Sequence, residues 1–256
     1  MIIVHGWLGS AESNYVLSLA AQLYQAGYNV CRLNLRDHGD TEHLNQGLFH
    51  SCLLNEVVDV VRVIQQHYSI KDLSLSGFSL GGNFVLRVAA QAKIARIALR
   101  TVIAICPALN PQTSDTALAS GLPIYREYFL NKWKQVLKRK QKLFPELYDF
   151  TEMMAGNSIT ELTDILVRNY AGFRGVRDYY DGYSLLGETL APLEIKSHIL
   201  LAKDDPIVPV VDAGLLAKNP YLNITLSDYG GHCGFMSSIV GKRWADEWVL
   251  SRLNIE

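Results

Sequence analysis

The chain has 256 residues, of which 49% are hydrophobic and 19% charged, and its formal net charge is −1. That suits one packed α/β domain with an insertion, excludes a disordered chain, and lacks the basic excess expected of a nucleic-acid-binding protein. Cys31, Cys52, Cys106 and Cys233 form no C-x-x-C pair, so they read as free buried thiols in a reducing compartment. The N-terminal Met1-Ile-Ile-Val-His-Gly-Trp lacks a basic n-region, and no apolar run approaches the ~18 residues of a membrane span. These features together read as a cytoplasmic protein.

Short apolar runs alternate with helical patterns along the chain, as expected for a parallel sheet covered by helices. Ile2–Val4 is the first predicted strand and leads into the loop His5-Gly6-Trp7-Leu8-Gly9. A helix over Ser13–Gln25 and a strand over Asn29–Leu35 follow. The next loop carries His38, His43 and His50, whose spacings match neither H-E-x-x-H nor a Cys/His zinc pattern, so no metal ligand is assigned. Leu53–Gln66 places Val57, Val60, Val61 and Ile64 at helical spacing. Strand Leu73–Ser76, helix Gly82–Ala92 and strand Val102–Ile105 complete the first half.

Between Pro107 and Pro192 the strand rhythm stops. This tyrosine-rich stretch has helical patterns at Tyr125–Leu143 and Ile159–Asn169, and it is too long for a loop. It reads as a helical cap over the C-terminal edge of the sheet, where α/β folds bind ligands. Strands Ile199–Ala202 and Asn223–Ser227 and helix Arg243–Leu253 close the chain. The expected division is core over 1–106, cap over 107–192 and core again over 193–256. The cap's basic run Lys132–Lys142 carries Trp133, Val136 and Leu137 on one face, so it reads as a solvated helix or one that docks weakly on an anionic membrane surface.

The strongest chemical signal is Gly77-Phe78-Ser79-Leu80-Gly81-Gly82, a G-x-S-x-G sequence that follows an apolar run and opens a helical pattern. That context is the one a nucleophile elbow requires; an ordinary glycine-rich turn is the alternative. A serine hydroxyl needs a base, and the base needs an acceptor to orient it. Both occur downstream in the order such an elbow uses. Ala202-Lys-Asp-Asp-Pro follows a strand and supplies Asp205, or Asp204, as orienter. Tyr229-Gly-Gly-His-Cys-Gly-Phe235 supplies His232 as base. The expected oxyanion donors are the backbone N–H groups of Leu80 and Trp7, while His5 reads as structural.

Together, His5-Gly6, the elbow Gly77-Phe-Ser-Leu-Gly-Gly-Asn83, the Asp-Asp-Pro segment and Tyr229–Phe235 resemble the YheT-like branch of the α/β-hydrolase superfamily. Gly172-Phe-Arg-Gly-Val-Arg-Asp-Tyr-Tyr-Asp-Gly-Tyr-Ser184 is also similar to a segment of that branch. The resemblance covers nearly the whole chain. It implies the α/β-hydrolase fold, a Ser-Asp-His triad, esterase-type activity on small acyl esters and no cofactor. A thioesterase or acyltransferase would use the same triad, and a non-catalytic binding protein would have no need of all three residues.

Two positions depart from the family pattern. Arg36-Asp-His-Gly39 stands where the family has Arg-Gly-x-Gly, and strands that precede the His-Gly loop in relatives are missing before Met1. The second departure predicts that Asn29–Leu35 lies at a sheet edge, and that 1–256 either associates or belongs to a chain that starts upstream.

Overall fold

The computed structural model describes residues 1–237 and 243–253. Six parallel strands make one sheet: β1 (Ile2–Val4), β2 (Cys31–Leu33), β3 (Leu73–Phe78), β4 (Leu99–Ile105), β5 (Ser197–Ala202) and β6 (Leu222–Ser227). Their order across the sheet is β2-β1-β3-β4-β5-β6. Each matches a strand expected from the sequence. The second is shorter than expected and, among the described residues, is an edge strand, with Cys31 and Leu33 half-buried and Arg32 exposed.

Helices cover both faces because the central strands carry apolar residues on both, as buried parallel strands do. Ile2, Val4, Leu75, Val102, Ala104, Ile199 and Leu201 pack on one face against α2 (Leu54–His67) and α3 (Leu80–Ala95). The intervening residues Ile3, Phe78, Ile103, Ile105, Leu200 and Ala202 pack on the other, against α1 (Asn14–Gln25) and α9 (Trp244–Leu253). This two-residue alternation is the pleat itself.

The chain between β4 and β5 folds as α4 (Pro111–Ser120), α5 (Pro123–Leu143), α6 (Thr151–Ala155), α7 (Ile159–Tyr170) and α8 (Val176–Asp181). These helices share a third apolar cluster that includes Leu118, Leu130, Trp133, Leu137, Phe150, Leu162 and Tyr180. The patterns at α5 and α7 are the two expected; α4, α6 and α8 went unread. The start of α4 nonetheless carries a signal. Pro111 lies in its first turn, and the Asn110 side chain accepts from the Gln112 N–H, capping it.

The basic run of α5 does more than solvate a surface. Lys140 is fully buried and donates to the Asp37 carboxylate at 2.8 Å and to the carbonyls of Glu42, Asn45 and Gly47 at 3.2, 2.6 and 3.0 Å. Lys134 donates to the carbonyls of Met154 and Gly156, and Arg139 pairs with Glu42. Three of the basic side chains thus tie the helices to one another and to the loop after β2. Among the described residues no helix is long and apolar enough to cross a membrane.

Replacing one partner of a buried ion pair strands the other charge, at a cost of about 3–5 kcal/mol. Lys140→Met should therefore lower the unfolding free energy by about that much in chemical denaturation, and adding Asp37→Asn should recover part of it. A loss below about 1 kcal/mol in the single variant would mean that the pair does not anchor α5.

Candidate active site

Strand order turns at β1: β2 lies on one side of it and β3 on the other. In open α/β sheets such a switch point opens a crevice beyond the carboxyl ends of the strands. The two segments that leave that point here are the loop His5–Gly9 after β1 and the turn Gly77–Gly82 after β3.

Ser79 sits at the tip of that turn, with φ 51° and ψ −118°. Such a backbone costs roughly 1–3 kcal/mol in a non-glycine residue and persists only where its surroundings enforce it. They do so here. The Ser79 N–H donates to the Ile105 carbonyl, and its carbonyl accepts from Asn83 and Ala108. The turn also closes too tightly for side chains on its flanks. A Cβ at Gly77 would come within 2.2 Å of the Gly81 carbonyl oxygen, and one at Gly81 within 2.3 Å of that of Val4.

The Ser79 hydroxyl donates to His232 Nε2 at 2.9 Å. His232 Nδ1–H donates in turn to Asp205, at 2.9 Å from Oδ2 and 3.1 Å from Oδ1. These partners assign the tautomer of the neutral ring. The Asp205 side chain is 1% exposed. Burial works against its charged form, but the His232 hydrogen bond and the Ile207 and Val208 N–H groups outweigh it and hold the carboxyl below its ordinary range. Burial likewise opposes the His232 imidazolium. The neighbouring Cys233 sulfur and the hydrogen-bonded Asp205 carboxylate outweigh it, and His232 titrates above the ordinary histidine value.

Asp204, the other candidate orienter, does not reach the ring. Its carboxylate accepts from the Gly231 N–H at 2.8 Å and so pins the loop that presents His232. The neighbouring carboxylates thus have separate contacts, one to the ring and one to its backbone.

The loop after β1 lies close against Ser79. A Cβ on Gly6 would sit 3.1 Å from Ser79 Cβ. Two buried histidines hold this loop. His5 Nδ1–H donates to the Gly6 carbonyl, and its Nε2 accepts from the Leu35 N–H. His38 Nδ1–H donates to the Arg36 carbonyl, and its Nε2 accepts from the Leu8 N–H. Burial pushes His5 down to about 3 and His38 down to about 4, so both rings stay neutral. His5 is structural, as expected; the part of His38 was not anticipated. The N–H groups of Trp7 and Leu80 have no acceptor among the described residues, and both residues line the cavity that opens at Ser79.

That cavity encloses about 140 Å³ between the sheet edge and the helices α4, α5, α7 and α8. Its walls are largely apolar, with aliphatic Leu118, Ile159, Leu166, Val167, Ile207 and Val208 beside several aromatic rings. Of the aromatic residues between β4 and β5, Trp133, Tyr179, Tyr180 and Tyr183 line it, whereas Tyr125, Phe129, Tyr170 and Phe173 do not. Phe129 instead stacks on Trp7, Tyr170 packs on Phe150, and Phe173 packs on Tyr179. A polar strut supports α8. Arg87 donates to Asn83 and to the Ser51 carbonyl, and Asn83 donates to the carbonyls of Ala108 and Tyr183. Tyr179 donates its hydroxyl to Ser51.

Residues 1–132 match the family described as alpha/beta hydrolase fold. Over its whole length the chain is 22% identical to the embryogenesis-associated protein EMB8 of Picea glauca, across 58% of that protein. It is 23% identical to the monoacylglycerol lipase ABHD2 of Homo sapiens over 99% of this chain and 65% of that one. To YheT of Escherichia coli it is also 23% identical, over 99% and 74%. The chain therefore spans less than two thirds of the length of the first two. Among solved structures, the esterase Pf2001 of Pyrococcus furiosus superposes with a TM-score of 0.59 at 16% identity, covering 98% of this chain and 79% of that one. Mouse alpha/beta hydrolase domain-containing protein 10 superposes with a TM-score of 0.58 at 15% identity, over 99% and 87%. With the parallel sheet and the elbow geometry already described, the chain belongs to the alpha/beta hydrolase fold family.

Proposed function

We propose that this chain is a serine hydrolase that cleaves carboxylic acyl esters through an acyl-enzyme, with Ser79 as nucleophile, His232 as base and Asp205 as orienter. The observation that carries the reading is the unbroken chain of contacts from Ser79 Oγ through both ring nitrogens of His232 to Asp205. As Ser79 Oγ attacks the ester carbonyl, His232 Nε2 takes its proton and passes it to the departing alkoxide. Water then attacks the acyl carbonyl as the same nitrogen takes its proton, and that proton passes to Ser79 Oγ as the bond to it breaks and the acid departs. The free N–H groups of Trp7 and Leu80 receive the oxyanion, each contributing roughly 2.7–4 kcal/mol at the transition state.

Several features support an acyl substrate. The largely apolar cavity suits a hydrocarbon chain, and ABHD2 bears the name of a monoacylglycerol lipase. We assign residues 1–106 and 193–256 to the core and 107–192 to a cap that roofs the cavity. The four unpaired thiols fit a reducing, cytoplasmic setting.

Ser79→Ala should lower kcat by up to ~10⁶-fold while the thermal melt stays cooperative. More than a few percent residual turnover would remove Ser79 from the role of nucleophile. Asp205→Asn should cost on the order of 10⁴-fold by losing the ring tautomer, and Asp204→Asn far less. The reverse ranking would make Asp204 the orienter.

The base must be neutral, and the charge around His232 raises its pKa. The acid limb of kcat/KM should therefore lie above the ordinary histidine value of about 6.5, with activity rising as pH increases. Asp205→Asn should move the limb to lower pH; a limb at or below 6.5 in the parent would contradict the charge assignment.

Across p-nitrophenyl esters, turnover should rise from acetate to medium-chain acyl groups. A steady fall with chain length would contradict an acyl cavity.

A further inference from the structure

Two thiols lie behind the His232 loop, and ester hydrolysis uses neither. Cys106 follows the last residue of β4 and is fully buried; Cys233 follows His232 and is 7% exposed. Both are unpaired. The sulfur atoms of Cys106 and Cys233 and a ring nitrogen of His232 all lie within 4.8 Å of one another. The two thiols are in hydrogen-bond contact with each other, and beyond that each has a weak, distant backbone acceptor, the Gly231 carbonyl at 3.8 Å for Cys106 and the Ile105 carbonyl at 3.6 Å for Cys233. Thiol hydrogen bonds are weak, so two thiolate–metal bonds would replace them at little cost. Both residues also hold left-handed backbones, with φ 43° at Cys106 and 63° at Cys233, a conformation that costs a non-glycine residue roughly 1–3 kcal/mol.

Two thiols and an imidazole are the soft sulfur and nitrogen donors that zinc and its heavier congener select. In a tetrahedral zinc site, sulfur atoms ~2.3 Å from the metal stand ~3.8 Å apart, so ligand atoms within 4.8 Å need shift by only about 1 Å to close around an ion. Charge balance favours the site as well. Two thiols release two protons, the resulting thiolates neutralise the divalent cation, and the ring contributes a neutral nitrogen. A net-neutral cluster suits so buried a position.

We propose that Cys106, Cys233 and His232 form a site for a thiophilic divalent cation, zinc or cadmium, whose binding switches off Ser79. The inhibitory half of this inference rests on the serine-hydrolase reading; the binding half does not. Both ring nitrogens of His232 are already engaged, Nε2 by Ser79 and Nδ1 by Asp205. A metal on either one breaks the relay. It either removes the base from the hydroxyl or removes the orienter from the base. The cation acts here as an inhibitor that competes for the imidazole, and it takes no part in the ester chemistry.

The test is a cadmium titration of the full chain, with thiols kept reduced by a phosphine. Two signals are followed: the ultraviolet thiolate-to-cadmium charge-transfer band and turnover of a p-nitrophenyl ester. The band should saturate at one equivalent while turnover falls in parallel and returns on chelation. Cys106→Ser should raise the half-inhibitory cadmium concentration by at least ~10-fold relative to its own metal-free rate. Cys233→Ser removes a ligand independently should the first variant fold poorly, and Cys31→Ser should leave the titration unchanged. In Ser79→Ala the band should persist, so the site is measured even without turnover. No band at stoichiometric cadmium, or a band that survives both ligand substitutions, would overturn the site. A saturated band with undiminished turnover would overturn the inhibition.

Discussion

The backbone of Ser79 is held at a φ of 51°, at the point where the sheet changes direction, and the rest of the site is arranged around that turn. A serine does not adopt this conformation alone. β3 must end against β4 so that Ile105 can accept the Ser79 N–H, and Gly81 must let α3 begin against the Val4 carbonyl. The strain lifts the hydroxyl out of the sheet toward His232, and it leaves the Leu80 N–H at the mouth of the cavity without an acceptor of its own. Much of the sheet's burial serves this one turn: the strands beneath it are fully covered on both faces, and that packing holds the strained residue in place.

Around the turn, buried polar groups hold what apolar packing alone would leave free to slide. His5 and His38 clamp the loop that carries Trp7, Arg87 and Asn83 brace α8, and Lys140 fastens α5 to the loop after β2. Each of these groups is satisfied by several partners, as burial in a low-dielectric interior demands. Apolar contacts are interchangeable, whereas directional bonds specify one position. The division of labour between Asp204 and Asp205 follows the same logic, with one carboxylate setting the loop and the other the ring. Preorganisation of this kind lets donors and acceptors meet a developing charge without rearranging.

Much of this was legible in the sequence, for identifiable reasons. All six strands were, because buried parallel strands leave dense apolar runs between helical patterns. Ser79, Asp205 and His232 were also legible as candidates, because the chain order of elbow, carboxylate and histidine constrains the choice. The distinction between Asp204 and Asp205 turned on side-chain direction and needed coordinates. Helices α6 and α8 span only five and six residues, too short for periodicity to register. Lys140 read as one charge in a basic run, since nothing local announces that Asp37 and three carbonyls wait for it 93 to 103 residues away. Cys106 and Cys233 lie far apart in sequence, and their meeting beside His232 belongs to the fold alone. Which aromatic residues between β4 and β5 meet the cavity was not legible, because size and polarity do not reveal which face of a helix meets the void.

The central claim is that Ser79 is a nucleophile activated by His232. A fluorophosphonate reacts covalently with such a serine and leaves a mass that peptide mapping can locate. The account predicts a single adduct, on the peptide containing Ser79, that forms in the parent protein and is lost in His232→Ala. An adduct on another residue, or undiminished labelling of Ser79 without the histidine, would contradict it.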